Sequence, residues 1–447
     1  VSSRLTLNLG LRYEYQINPD PVNVNPDLPQ TANKVSDKNN FGPRIGLAYD
    51  LTGDGKTVLR GGYGIYYGRV INSTIYNALI NTGVGTDRGQ RQVTLTASNP
   101  AAPVFPNLLS AGTLVPPQVQ YFASNFQNPQ IHQADLIFER EVARNTVVSA
   151  SYLFSFGRYL PTFVDTNLNP PVFARYTIVG GPYDGQVWLL PVFVGSRPNP
   201  NYQQITEIRS NVISKYNALV LQANRRLTNG LQFQTSYTLS RASDTGQTSQ
   251  TFTSPNVPFN PFDQAAENGL SNFDRRHKFI ASVVWQPTPF DEGSSRAARA
   301  IFNGWTISPI LNAFSGQRYS ATVSGTVNPV SLGFPSGTQT PPGGGGVNGV
   351  GSTRFALAPR NSFKMPSIWY LDMRLSRRFS ITEKARLEFL AEAFNLFNRT
   401  QVTGVNTALY SISGSTLQFN TAFGTPTAAD STLFRERQVQ LAVRFEF

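Results

Sequence analysis

The sequence predicts an all-β fold, a transmembrane antiparallel β-barrel of the outer-membrane kind with about twelve strands. Three observations carry that reading. Segments long enough to cross a bilayer alternate between apolar and polar residues. The connections between them alternate between tight turns and long loops. Aromatic residues gather near the ends of the segments.

Composition bounds the alternatives. Of 447 residues, 40% are hydrophobic, 14% charged and 12% aromatic, a balance that suits a barrel better than a soluble enzyme. No run of about 18 apolar residues occurs, so no helix here can span a bilayer. A barrel escapes that limit because only alternate residues of each strand need be apolar. Cysteine is absent, which removes disulfides and thiolate metal sites. A net charge of +12 raises nucleic acid as a partner, but Lys and Arg form no basic run. The reading is therefore no nucleic acid, with the basic residues lining a lumen or lying near a membrane surface. Val1-Ser2-Ser3-Arg4 carries no signal peptide and reads as a processed or truncated start.

The elements follow in chain order. In the first strand Leu5, Leu7, Leu9, Leu11, Tyr13 and Tyr15 alternate with polar residues or Gly, a period of two long enough for a tilted crossing of about 9–11 residues. The last strand repeats the pattern with Val439, Leu441, Val443, Phe445 and Phe447. Between them Leu231 to Leu239, Val148 to Phe156 and Leu371 to Leu375 alternate in the same way. Strands are placed near 4–15, 41–51, 57–68, 132–142, 146–156, 214–227, 231–242, 276–286, 304–316, 368–380, 386–399 and 436–447. The segment 214–227 reads in either register. Thr52–Lys56, Ala143–Asn145, Thr228–Gly230 and Ile381–Ala385 have the Gly, Asn and Asp of hairpin turns. Long loops fill 16–40, 69–131, 157–213, 243–275, 317–367 and 400–435. The connection 287–303 is intermediate, with one helical turn expected around Ser295–Ile301. Short turns at one rim and long loops at the other place the turns on the periplasmic side. Tyr13, Tyr15, Tyr63, Tyr66, Tyr67, Phe394 and Phe397 are expected in an aromatic girdle at the outer rim.

Three stretches resemble the TonB-dependent receptor superfamily, and within it the large Oar-like receptors: Asn40-Phe41-Gly42-Pro43-Arg44-Ile45-Gly46-Leu47-Ala48-Tyr49-Asp50, Asn272-Phe273-Asp274-Arg275-Arg276-His277-Lys278-Phe279 and Glu392-Ala393-Phe394-Asn395-Leu396-Phe397-Asn398-Arg399. The resemblance implies a 22-stranded barrel around an N-terminal plug, with a periplasmic segment that contacts TonB. Residues 1–447 would then be the C-terminal part of the barrel, the plug and N-terminal strands being absent from this sequence. It implies energy-coupled uptake of an extracellular small-molecule, glycan or peptide ligand across the bacterial outer membrane. Its partners would be outer-membrane lipid, TonB through that N-terminal region, and the barrel-assembly machinery, whose signal a strand ending in Phe447 resembles. A passive porin and a structural or adhesive surface barrel are the alternative functions.

No catalytic constellation stands out, so the chain is read as not an enzyme and as holding no cofactor. His132 and His277 sit at strand starts, far apart, without metal-ligand spacing. Candidate lumen-lining residues are Arg4, Arg12, Glu14, Arg44, Arg60, Asp372, Arg374, Arg378, Arg386, Glu388, Glu392, Arg444 and Glu446. In a plugged receptor they would bond to the plug, and in an open pore they would set ion selectivity. Candidates for ligand contact in the long loops are Tyr121, Phe122, Phe126, Tyr176, Tyr183, Trp188 and Tyr202.

Overall fold

The computed structural model describes residues 3–21, 23–84, 93, 95, 99–100, 102–108, 116–246, 258–327, 346–383, 385–431 and 434–447. Twelve strands form one antiparallel sheet in sequence order. They are β1 Leu5–Glu14, β2 Asn40–Asp50, β3 Thr57–Tyr67, β4 Gln130–Ala143, β5 Thr146–Asp165 and β6 Gln204–Thr228. The second half comprises β7 Leu231–Asp244, β8 His277–Trp285, β9 Trp305–Phe314, β10 Ile368–Ser380, β11 Arg386–Phe394 and β12 Gln438–Glu446. All twelve expected strands are present. The helix expected in 287–303 spans Arg296–Phe302, capped by the Ser295 hydroxyl accepting from Ala298 N–H at 3.2 Å.

Alternation in sequence becomes two chemically distinct faces. Leu9 stands opposite Ile45, Ile45 opposite Tyr63, and Leu59 opposite Phe138, all on the apolar face. The ambiguous β6 takes the register that puts Leu219 opposite Leu239 and Leu221 opposite Tyr237 on that same face. A slip of one residue would reverse every side chain of the strand, so this apolar match fixes the pairing. Tyr13 packs against Phe41 with ring centres 4.8 Å apart and the planes tilted by 36°. Two of the expected girdle residues are on the other face. Tyr66 lies under the Arg44 guanidinium, 4.4 Å from its ring centre, and Phe394 stands opposite Gln438. Both occupy even positions, where the polar residues of their strands lie.

The turns follow their sequence chemistry. Asn229 (φ 50) and Gly230 (φ 73) form a two-residue hairpin with both φ positive, the geometry that Asn-Gly favours. Gly230 also approaches Gln286 so closely that a Cβ would lie 2.4 Å from its carbonyl oxygen. Gly230→Ala is therefore expected to cost about 1–2 kcal/mol, measured by urea unfolding in detergent micelles, against no loss for substitution of the exposed Ser415. Strand β11 ends at Phe394 rather than at 399, because Asn395 turns left-handed (φ 48) and redirects the chain. Lys384, in the last hairpin turn, lies outside the described residues.

Two strands run well past the expected boundaries into the expected loop 157–213. β5 continues from 156 to Asp165, and β6 begins at Gln204 rather than 214. A bulge beside Gly157, with Tyr159 at φ 59, carries the ladder past Pro161. The extended hairpin takes Gln118–Phe122 as a parallel neighbour of β6 and buries Phe163, Ile208, Phe122, Phe126, Val70 and Ile75 together. Over the other half, Val172–Val179, Val187–Val192, Thr322–Ser324, Ala408–Ser413 and Thr416–Phe419 form a separate five-stranded sheet. Its core gathers Tyr176, Trp188, Leu190, Phe355, Leu409, Tyr410 and Leu417, from connections that are distant in sequence. The described parts of the long loops are thus a packed layer with cores of their own. Among the described residues no pairing joins β1 to β12, and both strands are exposed along most of their length.

Candidate functional site

The polar face carries the sequence's lumen candidates. Pairing across β10, β11 and β12 sets Arg374 opposite Glu392 and Glu392 opposite Gln440. The next row sets Arg378 opposite Glu388 and Glu388 opposite Arg444, and the last sets Arg386 opposite Glu446. Opposite charges at directly facing positions attract, each pair contributing a few tenths of a kcal/mol to about 1 kcal/mol. The Arg374 guanidinium reaches the Glu392 carboxylate at 2.5 Å, and the Gln440 amide donates to the same carboxylate. Glu388 lies between Arg378 at 3.7 Å and Arg444 at 3.6 Å, and Glu446 is 3.8 Å from Arg378. The result is a lattice of alternating charge on three adjacent strands.

Arg12, Glu14, Arg44 and Arg60 occupy the same face on β1 to β3, at the opposite edge of the sheet. Arg12 pairs with Glu14 at 2.7 Å, and Arg60 with Glu139 at 2.6 Å. Arg4 lies against Gly53 in the turn between β2 and β3. Asp372 accepts from the backbone N–H of Asn395 at 2.9 Å, which ties β10 to the turn after β11. Glu139 was not among the expected residues. Its partnership with Arg60 depends on the β3–β4 register, which alternation within one strand does not supply.

A cavity of about 330 Å³ opens on the polar face at the loop end of β10 to β12. Tyr370, Asp372, Phe394, Gln401, Phe434 and Gln438 line it. Gln401 is buried and donates to Trp369 O at 2.7 Å, while Asn395 donates to Arg399 O at 2.9 Å and Arg435 O at 3.1 Å. The stretch Glu392–Arg399 therefore shapes this mouth. Of its wall, Asp372 is an expected lumen residue and Phe394 an expected girdle residue.

The loop aromatics require a correction. Tyr121, Phe122, Phe126, Tyr176, Trp188 and Tyr202 are buried, and Tyr183 is half-buried against the same core. They pack the loops together rather than offering their rings to an extracellular ligand. Trp188 meets Phe355 edge-on with ring centres 5.2 Å apart. Burial raises the Tyr176 phenol above its ordinary pKa, and its hydroxyl has no hydrogen-bond partner among the described residues. Tyr176→Phe is accordingly expected to leave the melting temperature unchanged or to raise it slightly, because it removes an unsatisfied polar group.

Buried ion pairs fasten the loop layer. Asp165 meets Arg197 at 2.7 Å. The segment 243–275 is tied to 317–367 by Glu267 with Arg354 at 2.8 Å, Asp274 with Arg318 at 3.1 Å, and Asp244 with Arg360. The two histidines each bond a tyrosine of the neighbouring strand on the apolar face: His132 Nδ1 with Tyr63 at 2.7 Å, and His277 Nδ1 with Tyr237 at 2.8 Å. Phe447 stacks on Phe445 and is exposed.

The sequence matches the outer membrane beta barrel domain family over residues 1–440. No curated protein matches it. Among solved structures it is similar to the outer membrane transporter YddB from Escherichia coli, at 11% identity and a TM-score of 0.49, with 92% of this chain and 41% of that chain covered. It is similar to the ferripyoverdine receptor of the outer membrane of Pseudomonas aeruginosa, at 12% identity and 0.45, covering 100% of this chain and 37% of that one. It is also similar to the ferric-catecholate import receptor Fiu from E. coli, at 10% identity and 0.43, covering 100% and 42%. The chain spans less than half the length of each.

Proposed function

We propose, for a chain that belongs to the outer membrane beta barrel domain family, that it forms part of the wall of a TonB-dependent receptor of the Oar-like group. In the bacterial outer membrane the apolar face of the sheet meets lipid and the polar face turns inward. The ligand is an extracellular molecule met first by the loop layer, and its uptake is driven through TonB. The observation that carries this reading is the charged lattice on the inward face of β10 to β12. Its Arg, Glu and Gln side chains offer a plug many charge-assisted hydrogen bonds. Among the described residues no strand pairs with the outer flank of β1 or β12, which supports a larger ring, since an open sheet edge in lipid leaves backbone groups unsatisfied at several kcal/mol each.

The intact mass of the mature polypeptide from outer membranes tests the proposal. A species well above the 49.2 kDa of these residues, with a plug sequence in it, is expected. A mature species at 49.2 kDa that conducts ions in a planar bilayer would overturn it in favour of a passive pore.

A further inference from the structure

On the outward face, where the apolar rows of β6 and β7 give way to the loop layer, lies a groove of about 590 Å³. Its walls include Lys215, Arg241, Ser243, Thr245, Asn268 and Ile213. Lys215 stands opposite Ser243, and Arg241 opposite Asn217, so the two cations are diagonal neighbours with Cα atoms about 7–8 Å apart. Both are exposed. Among the described residues neither meets a carboxylate. Among the described residues the one acid lining the groove, Asp244, is engaged by the buried Arg360. Among the described residues, then, these two positive charges have no counterion.

Their height is set by their neighbours. Immediately toward the turn end come Leu219, Leu221 and Leu239, exposed apolar residues of the lipid-facing band. Lys215 Nζ also lies 5.9 Å from the centre of the Phe156 ring. Cations directly above such a band, on the outside of the wall, stand at the level of the outer-leaflet headgroups. Lys and Arg beside the hydroxyls of Ser243 and Thr245 and the Asn268 amide form a set of donors suited to phosphate oxygens.

We propose that this groove binds the phosphate of a phosphorylated glycolipid headgroup in the outer leaflet, with Lys215 and Arg241 as its cationic contacts. The site is separate from the polar face and does not depend on uptake. The test is native mass spectrometry of the full-length mature protein in detergent, titrated with bisphosphorylated lipid A, with the same lipid dephosphorylated, and with inorganic phosphate. The protein is expected to prefer the phosphorylated lipid by roughly ten- to thirty-fold, the effect of two cations near an anionic surface. The Lys215→Gln/Arg241→Gln double variant should lose that preference, and Lys215→Arg/Arg241→Lys should keep it, both migrating as folded barrels in unheated gels. Equal binding of the dephosphorylated lipid would overturn the proposal, as would an unchanged preference in the glutamine variant or its loss in the charge-conserving one. Displacement of the lipid by inorganic phosphate would reassign the groove to a free anion, and so would also overturn it.

Discussion

Replacing Trp188 by alanine opens the outer five-stranded sheet while the barrel wall stays folded. The indole is 2% exposed and packs between Tyr176 and Phe355, with ring centres 6.4 and 5.2 Å away. Truncating a buried aromatic of this size costs about 3–5 kcal/mol, through lost transfer free energy and the cavity left behind. The sheet is assembled from short segments of three separate connections, so little local structure remains once its core is breached. Protease added to intact cells should cut the Trp188→Ala protein within 157–213 and 400–435, whereas the wild type resists. Heat-modifiable migration should be retained by both. Trp188→Phe should recover most of the resistance. Equal protease resistance of the alanine variant would show that the loop layer does not depend on this core.

The second large effect comes from Arg360→Ala. The Arg360 guanidinium donates to the Asp244 carboxylate, to Asp244 O at 2.6 Å and, through Nε, to Glu267 O at 2.8 Å. The two side chains are 7% and 1% exposed, so the pair lies out of water. Removing the arginine strands a buried carboxylate, at a cost of about 3–5 kcal/mol. Much of that loss reflects the charge left behind rather than the worth of the pair. Asp244→Asn combined with Arg360→Ala should therefore be less damaging than Arg360→Ala alone. Hydrogen exchange at 258–275 and 346–367 measures both variants, and strictly additive losses would contradict this assignment.

The sequence's legibility ended where pairing ceased to be local. The wall could be read because each strand announces itself, and Asn229-Gly230 names its own turn. β10 was placed at 368–380, as it lies in the structure. The loop layer could not be read in this way. Thr416–Phe419 pairs in parallel with Val172–Val179, and Asp244 meets Arg360 across 116 positions. No turn signal or period marks such contacts. Pro161 obscured the continuation of β5, since proline inside a run argues against a strand unless a bulge accommodates it. The thirteen charged candidates were found by parity alone. The grouping of seven of them into a lattice on β10 to β12 requires the register. The aromatic loop residues show the opposite failure, because composition there could not separate rings that bind from rings that pack.

Cysteine accessibility along β10 tests most directly the claim that one face of this wall meets lipid and the other water. Residues 1–447 contain no cysteine, so within them each introduced thiol is the single reactive site. Asp372→Cys and Arg374→Cys should react with a membrane-impermeant maleimide in permeabilised outer membranes. Leu371→Cys, Met373→Cys and Leu375→Cys should react only with a lipid-soluble one. Ser415→Cys should label on intact cells, and Gly55→Cys only after permeabilisation. Labelling without regard to parity along β10, or with the two faces exchanged, would contradict the account.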